Sequence, residues 1–497
     1  MQLGNTDARD NNQQEAINLS FAKNKAFFVS SFAILCLWLL FCWRGLSSVV
    51  QIWYGNEIFN HGFFIVPGAI YLIYLKRNTL FAQPIKTTPL ALIVIVPAVL
   101  LYIVGVVGDI QLFLHTATFT LLPAIIWLIV GTRAAKTILF PLVFMLFSIP
   151  VGEQLIPYLQ EIAANGSVAL LRLTGVPLFR SGLYIEIPQG RFLVAEACSG
   201  VSFFIASFVI GSLYAYLNLV SAKRRLAFVA ISLIFPILAN IVRVYGIILI
   251  AYWTDMEHAA GADHLIYGWF FFAFVIVCLL GIGELIRDSK AQPSDYQDAA
   301  VLKPTLSVVT VVSCSLVLVI GYFVYTNVEK HSAVDSSSMV DLSPFADNSC
   351  APFIKFPVVD SPNYEMQVTL QGTQCNASAF IAFFDEVNGE LASYQNRDFD
   401  PSYFSLETSR NIELDGHDVL MSEVVTPSGE QLFIFKWYVI DSEVYASKEK
   451  VKINQVINKL LSKPYRGHIW LVATKQQDPG VNEKLRELVE FSKVKPN

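Results

Sequence analysis

Between Ile110 and Gly131 the chain runs 22 residues without an acid, a lysine or an arginine. Such a stretch constrains a fold strongly. A backbone in hydrocarbon must satisfy its own hydrogen bonds, and roughly 20 apolar residues in a helix match the bilayer. Eight further stretches have this character, at 26–43, 58–75, 88–108, 137–152, 200–220, 226–252, 265–283 and 304–326. Those at 58–75 and 137–152 are short and carry Pro67 or Pro150, so the sequence reads as eight or nine spans.

The composition agrees: 54% of residues are hydrophobic and 15% charged, where soluble domains carry about 25% charged residues. A soluble cytosolic enzyme and a disordered protein are excluded, and the net charge of −5 excludes a nucleic-acid binder built on bulk positive charge. Charge is also unevenly placed. Residues 1–326 hold 19 basic and 16 acidic residues, and 327–497 hold 16 and 24. The expected architecture is an α-helical multi-pass membrane bundle followed by an α+β soluble outer domain. Its expected parts are a cytoplasmic tail (1–25, of which 1–22 reads as polar and disordered and not as a secretory signal), a transmembrane domain (26–285), a linker with a final transmembrane helix (286–326) and the outer domain (327–497).

Basic residues stay on the cytoplasmic side. With the N-terminus inside, inner segments carry Lys23, Lys25, Lys76, Arg77, Lys86, Arg133, Lys136, Lys223 to Arg225, Arg287, Lys290 and Lys303. Outer segments carry only Arg44, Arg172, Arg180 and Arg191, against Asp109, Glu153, Asp255, Glu257 and Asp263. The outer domain then lies outside, in a bacterium the periplasm, and the membrane is the inner one. The long outer segment 153–199 reads as an interfacial or re-entrant helix, with Leu155, Leu159, Ile162 and Ala163 at helical spacing, followed by a hairpin around Pro188-Gln189-Gly190.

Three residues at the outer side can carry chemistry. Cys198, in Glu196-Ala197-Cys198-Ser199-Gly200, stands at the entrance of a helix, where the dipole favours a thiolate. Ser199 and Gly200 leave room for an oxyanion site of backbone N–H groups. The same segment also reads as a small apolar residue at a membrane boundary. Arg243 is the only charge between Leu226 and Thr254, and an intramembrane arginine costs at least ~2.5 kcal/mol without a polar partner. It faces a site, or it pairs with a carboxylate such as Glu196, or it snorkels; Asn240 shares its helix face. His264 can move a proton near neutral pH, or it is an ordinary interfacial histidine. Together, Cys198, Arg243 and His264 form the nucleophile, oxyanion stabiliser and acid/base of a thiol acyl-transfer site.

Other features carry less. His61, before Gly62, can help shape the site. His258 with Asp255, Glu257 and Asp263 matches no metal spacing and reads as a solvated acidic loop; no metal or cofactor is implied. Cys36, Cys42, Cys278 and Cys314 lie in apolar spans, while Cys350 and Cys375 lie where a disulfide can form. In the outer domain, 327–345 reads as a linker. Strand patterns cover 366–370, 379–384, 432–440, 443–446 and 468–473, with helices at 451–461 and 481–491. Phe433, Phe435, Trp437 and Tyr438 line either a groove for a peptide or glycan, or core strands.

The segments Ala195 to Gly200, Asn240-x-x-Arg243 and His264 with Gly268, together with His61-Gly62 and the Pro150 region, resemble the exosortases over residues 30–285. These are multi-pass bacterial membrane enzymes proposed to recognise and cleave C-terminal sorting signals: a Pro-Glu-Pro-type (PEP-CTERM) motif, a transmembrane helix and a basic tail. The resemblance implies a cysteine peptidase or transpeptidase with catalytic Cys198, Arg243 and His264. Lys436-Trp437-Tyr438 and Tyr445 to Lys448 are similar to the exosortase-associated domain of exopolysaccharide-producing bacteria. The implied partners are exported proteins bearing such tails, membrane lipids and exopolysaccharide-assembly proteins, with no nucleic acid. The competing reading is a non-peptidase membrane component of exopolysaccharide polymerisation or export, which needs no thiol.

Overall fold

The computed structural model describes residues 25–254, 263–288, 304–330, 340–356, 359, 362–384, 391–392, 396–400, 403–426, 428–461, 467–475 and 479–493. Two compact units result. One comprises Met1–Ile156, Gly200–Ala239 and Ala262–Thr326; the other comprises Pro157–Ser199, Asn240–Gly261 and Asn327–Asn497.

The first unit is helical. Its elements are α1 (Lys25–Phe41), α2 (Trp43–Gly55), α3 (Gly62–Leu75), α4 (Arg77–Phe81), α5 (Leu92–Val107), α6 (Gln111–Val130), α7 (Thr132–Thr137) and α8 (Leu139–Phe144). After the chain has passed through the second unit as α9 (Ile156–Leu173) and three short strands, α10 (Val201–Asn218), the first part of α11 (Ala222–Trp253), α12 (Asp263–Leu285) and α13 (Val308–Lys330) complete it. Among the described residues five helices are long and apolar enough to cross a membrane: Pro89–Val107, Gln111–Val130, Glu196–Asn218, Ala222–Trp253 and Val308–Val328. Two bent pairs raise this to seven if each is one span: Lys25–Phe41 with Trp43–Gly55 (67°) and Leu139–Ser148 with Glu153–Leu173 (70°). The second bend falls where Pro150 removes a donor and Gly152 takes φ +129°. Gly62–Leu75 and Phe270–Leu285 are shorter apolar helices.

Polar contacts mark the ends of this unit. The segment before α13 pairs with the loop before α5: Thr87 N–H donates to the Thr305 carbonyl (3.2 Å) and Lys86 N–H to that of Val130 (3.4 Å). Gly131, at φ +85°, is required there, since a Cβ would lie 2.2 Å from the Lys86 carbonyl oxygen. At the other end of α5 and α6, Arg44 approaches Asp109 at 3.9 Å.

In the second unit, α9 packs on a small antiparallel sheet of β1 (Phe179–Ser181), β2 (Tyr184–Ile187) and β3 (Gly190–Leu193). The β2–β3 hairpin turns at Pro188-Gln189, as the alternation predicts. Arg180 ties this sheet to the helix through Asn165 Oδ1 (2.5 Å) and Glu161 Oε1 (2.9 Å). Ala163, Ala164 and Val168 of α9, Ile185 and Ile187 of β2, and Val244 and Ile248 of α11 form one apolar core.

The outer residues build an antiparallel sheet ordered β4 (Tyr364–Thr369), β5 (Ala377–Phe384), β10 (Gly467–Thr474), β8 (Gln431–Ile440), β7 (His417–Val425), β6 (Ser405–Leu414), with β9 (Glu443–Tyr445) paired to β8. Helices α14 (Lys448–Leu460) and α15 (Pro479–Ser492) complete it. Both faces are covered: Val481, Leu485 and Val489 of α15 pack on one, and Val451 of α14 with Ile354 and Phe356 on the other. Cys350 and Cys375 are bonded, with Cα atoms 5.7 Å apart.

The structure adds a hairpin, revises the linker and decides between two readings of the β8 aromatics. The hairpin β6–β7 has no counterpart in the sequence patterns, because β6 is almost wholly solvent-facing and polar. The segment 327–345 is not linker throughout, since α13 continues to Lys330 and Val340, Leu342 and Phe345 are buried in the outer core. Phe435, Trp437 and Tyr438 are core rather than groove, each exposed by 1% or less.

Candidate active site

Cys198 closes a 3-10 turn, Glu196–Cys198, that follows β3, and α10 begins three residues beyond it at Val201. Gly200 makes the junction at φ +72°, a left-handed conformation that favours glycine. Cys198 is therefore beside the helix entrance rather than within its first turn. The turn uses its own donors: Cys198 N–H reaches the Ala195 carbonyl (2.8 Å) and Ser199 N–H that of Glu196 (3.0 Å). These two N–H groups are thus engaged within the turn itself.

The donors that do converge come from α11. Asn240, 3% exposed, donates from Nδ2 to the Cys198 carbonyl at 2.8 Å. Arg243, one turn further along, interacts electrostatically with the Cys198 thiol. The close approach of α11 to α9 is permitted by Gly166, where a Cβ would sit 2.6 Å from Ile241. On the other side, Gln160 of α9 donates to the Val194 carbonyl (2.8 Å) and holds the strand that leads into the turn. Half-buried Cys198 itself packs against the α9–β2–α11 core.

Glu196, weighed above as a partner for Arg243, is gripped instead by Arg397 of the outer domain. Nη1 lies 2.5 Å from Oε1 and Nη2 3.3 Å from Oε2. A cavity of about 1010 Å³ opens beside this pair, with Ala195, Glu196 and Ala197 on one side and Phe353, Arg397 and Tyr403 on the other. Sequence patterns did not point to Arg397, which lies in a loop without periodicity. Lys436 did leave a signal, as a single charge inside the apolar run of β8.

His264 and His61 belong to the first unit. His264 occupies the first turn of α12, with its side chain outside the described residues. Helices α10 and α12 run parallel at an offset of 69 to 70 residues, seen in the stacked pair Phe203–Phe272 (4.9 Å) and the hydrogen bonds Tyr214–Glu284 and Asp288–Asn218. That register sets His264 just under two turns beyond the level of Val201, on the side where the chain enters α10. His61 caps α3, its Nδ1 3.2 Å from the Ile58 carbonyl. Its neighbour Gly62 is needed because a Cβ would lie 2.3 Å from the Trp53 ring. The loop with Asp255, Glu257 and His258 falls outside the described residues. Among the described residues no cluster of three or more His, Cys, Asp or Glu has metal-binding geometry.

Residues 53–281, a little under half of the chain, match the family model described as transmembrane exosortase (Exosortase_EpsH). No curated protein and no solved structure matches the chain.

Proposed function

We propose, from the premise that residues 53–281 belong to the transmembrane exosortase family, that this membrane protein-sorting enzyme is a cysteine peptidase or transpeptidase. Its substrates are exported proteins bearing a C-terminal signal of the PEP-CTERM kind, cleaved at the outer face of a bacterial inner membrane. The observation that carries this reading is the convergence of Asn240 and Arg243, from one apolar helix, on the turn that presents Cys198.

Cys198 Sγ attacks the substrate carbonyl, and negative charge develops on the carbonyl oxygen. With the N–H groups of Cys198 and Ser199 engaged in their own turn, the Arg243 guanidinium is the stabiliser of that oxyanion. His264 takes the thiol proton and returns it to the leaving amine. The resulting thioester passes to water or to an acceptor amine or hydroxyl. The cavity that ends at Ala197 has room for the polypeptide leading to the scissile bond.

In this reading the chain crosses the membrane nine times, counting the two bent pairs and the two shorter apolar helices with the five full-length ones. The N-terminus is cytoplasmic, and 327–497 is a periplasmic exosortase-associated domain that links sorting to exopolysaccharide-producing systems. The meeting of the Lys86, Gly131 and Thr305 segments at one end supports that orientation. The test is Cys198→Ala co-expressed with a tail-bearing protein. The precursor should accumulate uncleaved; normal processing would remove the thiol from the mechanism.

A further inference from the structure

The loop 396–400 of the outer domain is held by groups that have no part in the sheet's hydrogen bonding. Asn396, fully buried, donates to the Leu391 carbonyl (3.2 Å). Asp398 pairs with the ammonium of Lys436, which is itself 1% exposed in the middle of β8. Arg397, between these two anchors, is thereby aimed at Glu196, the first residue of the turn that ends in Cys198. Beside it, Tyr184 of β2 donates to the Tyr403 carbonyl (2.6 Å) and Leu183 N–H to Ser405 Oγ (3.2 Å).

The Arg397–Glu196 pair is about one-third exposed on both sides, 34% and 37%. An ion pair with that much water adds little to stability, typically below ~1 kcal/mol. Its two parallel N–H···O bonds nevertheless fix orientation well, because a guanidinium fork and a carboxylate match in a plane. Such a pair is better suited to holding a shape than to holding the fold together.

We propose that Arg397 is a positioning residue for Cys198. Through Glu196 it sets the orientation of the nucleophile's turn, and the buried Lys436–Asp398 pair fixes Arg397 in turn. The outer domain is then a working part of the catalytic unit. This inference rests on the reading of Cys198 as the nucleophile.

The experiment uses the full-length chain in membranes, with Cys36, Cys42, Cys278 and Cys314 replaced by alanine so that maleimide reports on Cys198. The alkylation rate is followed across pH, alongside processing of a tail-bearing protein, in Arg397→Ala, Arg397→Lys, Glu196→Gln and the charge swap Glu196→Arg with Arg397→Glu. Formation of the Cys350–Cys375 disulfide reports that the outer domain has folded. Arg397→Ala should alter the pH profile of Cys198 alkylation and lower processing roughly ten- to a hundredfold, with the disulfide intact. Lysine should rescue in part, since it keeps the charge and loses the second bond, and the swap should recover more. Should Arg397→Ala lose the disulfide, Glu196→Gln decides, because it leaves the outer domain untouched. A wild-type alkylation profile and wild-type processing in a folded Arg397→Ala, or in Glu196→Gln, overturn the proposal. Those results would leave the nucleophile reading standing. Conversely, processing that survives Cys198→Ala sinks the nucleophile reading, and the alkylation profiles alone then judge the clamp.

Discussion

Lys436 and Arg243 are both cations drawn away from water, one in a β-sheet and one in a helix apolar enough to cross a membrane. Lys436 faces a carboxylate, Asp398, within a closed core, so its charge is balanced by a group that stays ionised. Arg243 has the Cys198 thiol in its electrostatic surroundings, and in the proposed reading that group carries charge only in one protonation state and at one stage of a reaction. The first arrangement holds a fold. The second, in the proposed reading, keeps a charge where chemistry can use it. A buried cation is thus informative about function chiefly through the partner it is given.

Breaking the two cations separately should therefore give opposite phenotypes. Lys436→Met, or Asp398→Ala, leaves an unbalanced buried charge or an unmet polar group, and should cost about 3–5 kcal/mol of stability. Urea unfolding of the detergent-solubilised chain, followed by tryptophan fluorescence, measures it. The double variant Lys436→Met with Asp398→Leu should return to within about 1 kcal/mol of wild type. Arg243→Ala should leave that unfolding curve in place and slow processing by about 10²–10³-fold, as for the loss of one oxyanion donor. If Arg243→Ala unfolds the outer domain while Lys436→Met does not, the contrast between the two cations is wrong.

A smaller effect concerns alkaline pH. Burial disfavours the Lys436 ammonium, but Asp398 outweighs it and holds the group above the usual lysine range. Burial pushes the Tyr438 phenol up to about 12. Both bind their protons more tightly in the folded state, so their contribution is complete below the unfolded values, roughly pH 10 for both. It is lost as pH rises through the folded values. The urea midpoint should stay level from neutral pH to about 9.5 and fall above about 10; a midpoint that falls near pH 8 would contradict this. The smallest effect is local. Gly166→Val should push α9 from Ile241 and reduce processing, at a strain of about 1–3 kcal/mol. Ile241→Ala should restore part of it if that contact sets the spacing next to Asn240.

Much of this was legible in the sequence where side-chain patterns have one dominant cause. Long apolar stretches gave the helices, and the alternation from Leu183 to Ala195 gave the hairpin before Cys198. Strands β5 and β10 were visible because a sheet covered on both faces reads as continuous apolar residues. Edge strand β6 was not, since Glu407, Thr408 and Arg410 face solvent and no period survives. Within the site, Arg243 and Asn240 were visible because polar groups in an apolar helix require a reason. Arg397 was not, because its role comes from a tertiary meeting with Glu196, 201 residues away in sequence. That the N–H groups of Cys198 and Ser199 are engaged within their own turn was not legible for a similar reason: only the folded turn shows it.

The central claim is that Cys198 forms a covalent bond to the substrate's carbonyl. The most direct measurement is mass spectrometry of the purified chain after mixing with a tail-bearing substrate and rapid acid quenching, with and without hydroxylamine. The account predicts a hydroxylamine-sensitive adduct on the Cys198 peptide, with the mass of the substrate portion preceding the cut, and none in Arg243→Ala at the same early times. Full cleavage with Cys198 unmodified at every time point would contradict it.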